Sequence, residues 1–362
     1  MIKKIILIII AVITIIGLIF LRLWKAFGQR PLTSDKQRYS KLMSSYYQGS
    51  FHNDAKIPQV NNAKKETIIK KGRIPRDKIP IKHLRNIPDA TKDELKWVWL
   101  GHSSSLLQMQ GLNILIDPVF SKYASPIAGF GPKRFARLPI EIEDLPKIDI
   151  VVISHDHYDH LDYATIIKID DKVKAYCVPL GVEKHLIRWG IETSKIHTMA
   201  WWDIVDLKGL KITAVPANHF SGRLPWLNNT TLWCGYVFEN EYYKVYYTGD
   251  SGYSDYFKEI SKRFGEIDFM ILEDGQYDKK WKKIHMTPDQ ALQAVKDIKA
   301  KWIVPVHWGT FSISFHAWDD PVNQITSLAS KQQIKVATPL IGEIVDYAQI
   351  EKYQDKWWQL IN

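Results

Sequence analysis

The segment from His155 to His160 reads His-Asp-His-Tyr-Asp-His and places three imidazoles within six residues. It directly follows residues 148–154, an apolar and largely β-branched stretch that predicts a buried strand. Neutral imidazole and carboxylate are the usual ligands of zinc and similar divalent cations. Because a strand end holds its side chains rigidly, the loop that follows can fold several of them around one point. We therefore predict a metal site here; the competing interpretation is a solvated surface loop.

Further ligand types follow three other predicted strands, at 211–215, 242–248 and 302–306; they are His219, Asp250 and His307. Functional side chains are commonly presented where a rigid element meets a loop. Alone, each of these residues is more simply an ordinary core or surface residue. Together with the six-residue cluster, their placement at strand ends favours one shared metal centre. Gly249 and Gly309 beside them allow the backbone to approach closely.

Strands and helices alternate from Leu95 onwards, with no repeat of fixed length. Additional strands are predicted at 97–100, 105–110, 113–117, 174–178, 231–239 and 269–272. Helices are predicted at 163–169, 182–189 and 290–299, the last beginning at a capping residue, Thr287. This order predicts an α/β protein in which two mixed β-sheets pack face to face with helices outside, an αββα sandwich.

The N-terminus differs from the rest of the chain. Residues 5–21 are apolar apart from Thr14 and Gly17, and basic residues flank the run on both sides. That length can span a hydrocarbon core, so we predict a single-pass membrane anchor within residues 1–30. A cleaved signal peptide is the alternative, but the run is long for one and is followed by Arg22 and Lys25. The side of the membrane on which the remaining chain lies stays open.

The polar residues 31–92 are predicted to form a linker and an extended arm, and residues 93–362 the catalytic domain. The formal net charge of +10 favours anionic partners such as a membrane surface or phosphate esters. Nucleic acid is disfavoured because no long block of like charges is present. The two cysteines, Cys177 and Cys234, rule out a disulfide framework, although they could pair with each other.

The spacing His-x-His-x-Asp-His resembles the metal-binding motif of the metallo-β-lactamase superfamily, a set of metal-dependent hydrolases. Other stretches are similar to the branch of N-acylphosphatidylethanolamine-hydrolysing phospholipases D. They are Trp-Leu-Gly-His-Ser-Ser at 99–104, Ile-Asp-Pro-Val-Phe-Ser at 116–121, Gly-Pro-Lys-Arg-Phe at 131–135, Thr-Gly-Asp-Ser-Gly-Tyr at 248–253 and Val-His-Trp-Gly-Thr-Phe at 306–311. The resemblance covers roughly residues 95–330, and the chain departs from it at the N-terminal apolar run.

The resemblance implies two zinc ions per chain and assigns their ligands. The first ion would be held by His155, His157 and His219, the second by Asp159, His160 and His307, with Asp250 bridging them. Such a pair supplies hydroxide near neutral pH and stabilises charge on the substrate's oxygens. Asp159, Asp250 and His285 are the expected catalytic residues. His285 would contact a phosphate or protonate a leaving alkoxide, the alternative being a surface histidine.

Several residues keep two interpretations. His102 either supports a ligand by hydrogen bonding or only packs beneath the site. The apolar loop 224–227 either contacts an apolar ligand or folds back into the core, and Trp357 and Trp358 either pack on the core or lie at a membrane interface.

The expected function is a phospholipase D-type phosphodiesterase. A metal-bridging hydroxide would attack phosphorus in an N-acylphosphatidylethanolamine-like phospholipid or another anionic amphiphile. Lactone, amide or thioester hydrolysis on the same fold is the alternative, a nuclease is a weaker one, and the complete ligand set argues against a non-catalytic binding protein. The sequence does not indicate an oligomeric state.

Overall fold

Two mixed β-sheets packed face to face form the centre of the protein. The computed structural model describes residues 4–6, 9–14, 17, 24–53, 72–224, 227–278, 281 and 283–361. One sheet has seven strands in the order β15-β3-β4-β5-β6-β7-β8, and the other has six in the order β14-β13-β12-β11-β10-β9. The strands of the first are β3 Leu95–Gly101, β4 Ser104–Met109, β5 Leu112–Ile116, β6 Ile148–Val152, β7 Val173–Pro179, β8 Ile196–Met199 and β15 Ile344–Asp346. Those of the second are β9 Ile204–Leu207, β10 Leu210–Val215, β11 Gly235–Glu239, β12 Lys244–Tyr247, β13 Ile267–Glu273 and β14 Ala300–Val306.

Each sheet is antiparallel on one side and parallel on the other. Strands β5 to β8 run parallel in the seven-stranded sheet, as do β12 to β14 in the six-stranded one. The remaining pairs within the two sheets are antiparallel. Strands that are buried on both faces have mostly apolar sequences, and β6 and β13 are of this kind. The predicted pair of mixed sheets is confirmed.

Three apolar layers hold this arrangement together. Side chains of both sheets meet in a central cluster that includes Ile150, Tyr236 and Val304. The outer face of the seven-stranded sheet packs against helices α2 Tyr163–Ile169 and α3 Val182–Trp189. The outer face of the six-stranded sheet packs against α4 Tyr256–Phe264, α5 Pro288–Ile298 and α6 Asp320–Lys331. The helices therefore lie outside the two sheets, as predicted.

The sequence located some helices and missed others. The bounds predicted for α2 and α3 are those observed. Thr287 caps α5 as expected, but the helix begins at Pro288, two residues earlier than predicted. It ends one residue earlier than predicted, because Lys299 adopts a left-handed conformation with φ of 59°. Helices α4 and α6 and the short strands β8, β9 and β15 were not predicted.

The polar arm before the sheets is partly folded rather than wholly extended. Helix α1, Thr33–Leu42, and a small hairpin of β1 Tyr46–Tyr47 and β2 Ser50–Phe51 lie within it. Tyr39, Tyr46 and Phe51 form a buried aromatic group that packs against Trp233. Residues 54–71 of the arm lie outside the described residues.

Much of the predicted membrane anchor, residues 5–21, also lies outside the described residues. Among the residues that are described, none of the helices combines the length and apolar character needed to cross a bilayer. The anchor accordingly stays a prediction.

Two questions left open by the sequence are answered by the packing. Cys177 and Cys234 are both buried and unpaired thiols. Trp357 and Trp358 are 7% and 0% exposed and pack around Trp308, so they belong to the core.

Candidate metal centre

All seven predicted ligands converge at one edge of the sandwich. The loop from His155 to His160 follows β6 of the seven-stranded sheet, whereas His219, Asp250 and His307 follow β10, β12 and β14 of the other sheet. The two sheets come very close here. A Cβ on Gly249, which has φ of +57°, would lie 2.7 Å from the carbonyl oxygen of Cys234 and 3.0 Å from Cβ of Ser154. Only glycine therefore fits at the position before Asp250.

His155, His157 and His219 form a first group of donors. Nε2 of His155 lies 2.8 Å from Nδ1 of His157, which lies 3.3 Å from Nε2 of His219. Ligands at zinc–nitrogen distances of 2.0–2.1 Å in a tetrahedral site are separated by about 3.3 Å. The spacing of these three nitrogens is therefore close to that of ligands around one small cation.

Asp159, His160 and His307 form a second group. Nε2 of His307 lies 3.3 Å from Nε2 of His160 and 3.3 Å from Oδ2 of Asp159. The third separation, from Nε2 of His160 to Oδ2 of Asp159, is 3.7 Å. Two nitrogens and one oxygen thus face a common point beside the first group.

Asp250 lies between the two groups. Its Oδ2 is 3.9 Å from Nε2 of His155 and 3.8 Å from Nε2 of His219, and its Oδ1 is 3.2 Å from Nε2 of His160. The carboxylate is buried, and its Oδ1 makes no hydrogen bond within the described part of the chain. Since an unsatisfied buried oxygen is costly, this atom is suited to a cation that the protein itself does not supply.

Contacts outside the ligands fix which nitrogen of each ring faces the site. Nδ1 of His160 donates to Oδ2 of Asp117 at 2.7 Å, and Nδ1 of His219 donates to the carbonyl oxygen of Ile284 at 2.9 Å. Both rings therefore present the lone pair of Nε2 to the centre, as metal-bound histidines do. Asp117 is itself held by the amide of Ser154.

The charges in the site match those that a cation requires. Burial, aided by neighbouring imidazoles, lowers the pKa of His155 well below its usual value, and burial does the same for His219. Burial alone would raise the pKa of Asp250, but His160 foremost holds it well below the usual range. His160 behaves oppositely, because Asp250 and Asp159 outweigh burial and raise its pKa. The carboxylates around His160 thus favour positive charge at this point, and a divalent cation would supply that charge. The donor set fits a pair of divalent cations.

His285 lies at the same centre, paired with a carboxylate that the sequence did not single out. Its Nδ1 is 2.6 Å from Oε1 of Glu273 and 4.0 Å from Oδ2 of Asp250. Burial lowers the pKa of His285 to about 3, whereas burial and Asp250 raise that of Glu273 well above its usual value. The proton that joins the pair therefore resides on Glu273, whose carboxyl donates to Nδ1. His285 is 8% exposed, which rules out the alternative of a surface histidine.

His102 supports a ligand instead of only packing beneath the site. Its Nε2 lies 2.9 Å from Oδ2 of Asp159, and its ring is completely buried beside His307. Burial lowers the pKa of His102 to about 3, so the ring is neutral and donates a hydrogen bond to the carboxylate. This contact orients Asp159 toward the second group.

The basic stretch 133–137 is divided between structure and surface. The guanidinium of Arg134 donates to backbone carbonyl oxygens of Val119 and Ser121 and lies 4.8 Å from the ring centre of Phe311. Lys133 and Arg137 are exposed. Two of the three basic side chains in this stretch are therefore exposed and available to an anion.

An exposed aromatic side chain stands just before the basic stretch. Phe130, in the loop that precedes Lys133, exposes 70% of its surface. A cavity of about 250 Å³ lies between this loop and Tyr158 of the metal-binding segment. In the apolar loop 224–227, Pro225 and Trp226 lie outside the described residues.

Asp117 and Glu273 are the functional candidates that sequence reasoning missed. Asp117 stands in the Ile-Asp-Pro stretch at 116–118, which served only as a point of resemblance. Glu273 ends a buried strand, the same position that marked the other ligands, and this was the available signal.

Known proteins share this architecture and parts of this sequence. The family described as the β-lactamase superfamily domain matches residues 112–308. An uncharacterized protein of Mycobacterium tuberculosis is 39% identical over 279 residues, which are 76% of this chain and 74% of the relative. The N-acyl-phosphatidylethanolamine-hydrolyzing phospholipase D 1 of Caenorhabditis elegans is 34% identical over 226 residues, 59% of this chain and 63% of the relative. A metallo hydrolase from the archaeon Ignicoccus hospitalis has the same fold, with a TM-score of 0.54 and 24% identity over 70% of this chain and 98% of its own.

Proposed function

We propose that this chain, which belongs to the metallo-β-lactamase superfamily and is a metal-dependent hydrolase, uses two zinc ions to cleave a phosphodiester in a phospholipid-like amphiphile. The observation that carries the proposal is the pair of three-donor groups joined by Asp250. In the proposed site His155, His157 and His219 hold one ion, and Asp159, His160 and His307 hold the other. When bound, two such cations lower the pKa of water and stabilise charge on the attacking and leaving oxygens.

The protein's own residues can supply the proton that the leaving group needs. With the shared proton on Glu273, the imidazole proton of His285 is on Nε2. That nitrogen can give its proton to the departing alkoxide while Nδ1 takes the proton of Glu273, which is left as a carboxylate. General acid assistance of this kind typically contributes about 10²–10⁴-fold to the rate.

Other side chains orient the ligands. His102 holds Asp159 through a hydrogen bond, and Asp117 holds His160 in the same way. Because His102, His160 and Asp117 are fully buried, these contacts hold the donors in position before the site is filled.

Three observations favour an anionic amphiphile over a small soluble substrate. The relative in Caenorhabditis elegans, 34% identical over 226 residues, is named for hydrolyzing N-acyl-phosphatidylethanolamine. Lys133 is exposed, and Phe130, three residues before it, exposes 70% of its surface. A cationic side chain beside an exposed aromatic one suits a phosphate group attached to an apolar chain.

The test is one panel of substrates offered to the zinc-loaded chain. N-acylphosphatidylethanolamine, an aryl phosphodiester, a lactone and a β-lactam are compared at equal metal concentration, with Asp250→Asn as the inactive control. We expect the lipid to be cleaved fastest and the control to cleave none of the four. Preference for the lactone or β-lactam by orders of magnitude, with no phosphodiester cleaved, would refute the proposed substrate class.

A further inference from the structure

The short segment after the N-terminal apolar run is docked directly behind the metal-binding loop. Residues 24–30 lie against helix α3, where Nε1 of Trp189 donates to the carbonyl oxygen of Lys25 at 2.6 Å. Arg188, one residue earlier, donates to Oε1 of Gln29 at 2.8 Å. These contacts fix the segment although it is more than a hundred residues away along the chain.

His185, on the same helix, connects the N-terminal segment to the metal-binding loop by two hydrogen bonds. The amide of Gln29 donates to Nδ1 of His185 at 2.8 Å. Because a backbone N–H can only donate, Nδ1 must be the accepting nitrogen and the ring proton is on Nε2. Nε2 lies 3.2 Å from Oδ2 of Asp156, to which it donates. Asp156 stands between His155 and His157, two donors of the first group.

Arg223 makes a second connection between the same parts. Nε and Nη2 donate to the carbonyl oxygen of Ala26 at 3.1 and 2.8 Å. Nη1 donates to the carbonyl oxygens of Asp156 and Leu161, each at 2.8 Å, and so spans the metal-binding loop. The guanidinium is buried, with the residue 4% exposed, and also packs over the ring of Tyr158 at 4.1 Å. One planar cation thus joins the N-terminal segment to both ends of the loop.

The third donor of the first group lies next to this network. Oδ1 of Asp156 accepts a hydrogen bond from the amide of Gly222 at 2.7 Å. Gly222 and Arg223 follow His219 by three and four residues. These hydrogen bonds reach the chain beside each ligand of the first group and, at Leu161, beside His160 of the second group. None of the bonds described here involves the chain around His307 or Asp250.

We propose that residues 24–30, acting through His185 and Arg223, position His155, His157 and His219 for metal binding. This rests on the metal site of the proposed function. Mutation of residues that orient metal ligands without binding the metal commonly changes metal affinity by about 10–100-fold. The N-terminal segment holds such residues in place. Its loss is expected to weaken the first metal site by about tenfold or more, and the second site less.

Gly28 offers a single-atom test. Its φ is +81°, and a Cβ there would lie 2.3 Å from Nδ1 of His185, so Gly28→Ala must separate the segment from the ring. Gly49 has nearly the same backbone conformation, with φ of +82°, and open space around it. Gly49→Ala therefore carries the same backbone penalty without the collision and serves as the matched control. His185→Phe removes both hydrogen bonds of the ring while keeping an aromatic side chain.

The measurement is zinc affinity of the full chain, by competition with a chromophoric chelator, alongside thermal unfolding of the metal-free proteins. Gly28→Ala and His185→Phe should each lower the affinity for one of the two zinc ions by about tenfold or more, and Gly49→Ala should match the wild type. A role in stability alone would lower the unfolding temperature and leave zinc affinity unchanged, which would overturn the inference. If His185→Phe weakened zinc binding but Gly28→Ala did not, the role inferred for residues 24–30 would also be overturned. A wild-type chain that binds no zinc would instead refute the proposed function on which the inference rests.

Discussion

Replacing Asp117 by asparagine should weaken the second metal site without touching a ligand. Asp117 is fully buried and has φ of 39°, a conformation that asparagine adopts as readily as aspartate, so no backbone strain is added. Its Oδ1 accepts from the amide of Ser154 at 2.7 Å. Its Oδ2 accepts from Nδ1 of His160 at 2.7 Å, from Oγ of Ser154 at 2.5 Å and from the hydroxyl of Tyr247 at 2.5 Å.

The expected magnitude follows from these four donors. An asparagine must turn its NH₂ group toward at least one of them, and the least costly choice is the single donor at Oδ1. Leaving that buried donor unsatisfied costs about 1–3 kcal/mol of folding free energy. His160 keeps an acceptor but loses the charge on it, and charge-assisted hydrogen bonds are roughly twice as strong as neutral ones. If the Asp117–His160 contact stabilises the metal-bound site less by about 1.4 kcal/mol, the metal affinity falls about tenfold. The affinity of the second site should therefore fall about 10–100-fold.

Zinc titration of Asp117→Asn against a chromophoric chelator measures this change. Asp149→Asn is the matched control. Asp149 lies on β6 of the same sheet, but its carboxylate pairs with Lys174, away from the centre. The control should bind both ions as the wild type does. Wild-type affinity in a folded Asp117→Asn protein would refute the idea that the Asp117–His160 contact supports a metal ligand.

Three further outcomes are expected. Asp250→Ala removes the carboxylate that joins both donor groups, so metal analysis should find less than the wild-type content and turnover should be abolished; full content with unchanged activity would contradict the bridging role. His285→Ala should keep the metals and lose about 10²–10⁴-fold in rate, since it removes the proton donor, and a wild-type rate would assign that role to another group. Intact mass of the mature protein from membranes should include residues 1–30, as an uncleaved anchor requires, whereas a chain beginning near Gln29 would show cleavage.

Residues that lie close together in sequence made the metal centre predictable. His155 to His160 bring three imidazoles to one strand end by themselves, and His219, Asp250 and His307 are marked by the apolar strands that precede them. Such local signals need no knowledge of tertiary packing.

Tertiary packing is what the missed residues depend on. Glu273 ends a strand as the other candidates do, but its pairing with His285, twelve residues later, is not specified by any local pattern. The contact between Arg223 and Ala26 uses a backbone carbonyl oxygen, which every residue has, so the sequence carries no sign of it. Helix α1 escaped notice because its surface is polar; its buried positions are Asp35 and Tyr39, and Asp35 caps the helix by accepting from the amide of Leu32.

Other elements did carry local signals. In α4, Phe257 and Ile260 are three residues apart and both face the core, which is the spacing of an amphipathic helix. In α6, Pro321 stands in the first turn, where its missing N–H costs nothing. The short strands β8 and β9 have mostly half-buried or exposed side chains, and the alternation in β9 has no fully buried position, so pairing with their neighbours defines them more than their composition does.

Because the donors are divided between the two sheets, a metal bound at this centre would cross-link the two halves of the molecule. Four donors follow β6 of one sheet, and three follow β10, β12 and β14 of the other, so neither half can enclose both ions alone. A chain cut in the turn between β8 and β9 would separate four ligands from three, with β15 still pairing with β3 across the cut. Metal ions bound by donors of both fragments would add to the apolar contacts between the sheets, so zinc should favour reassembly of the two fragments and a chelator should weaken it.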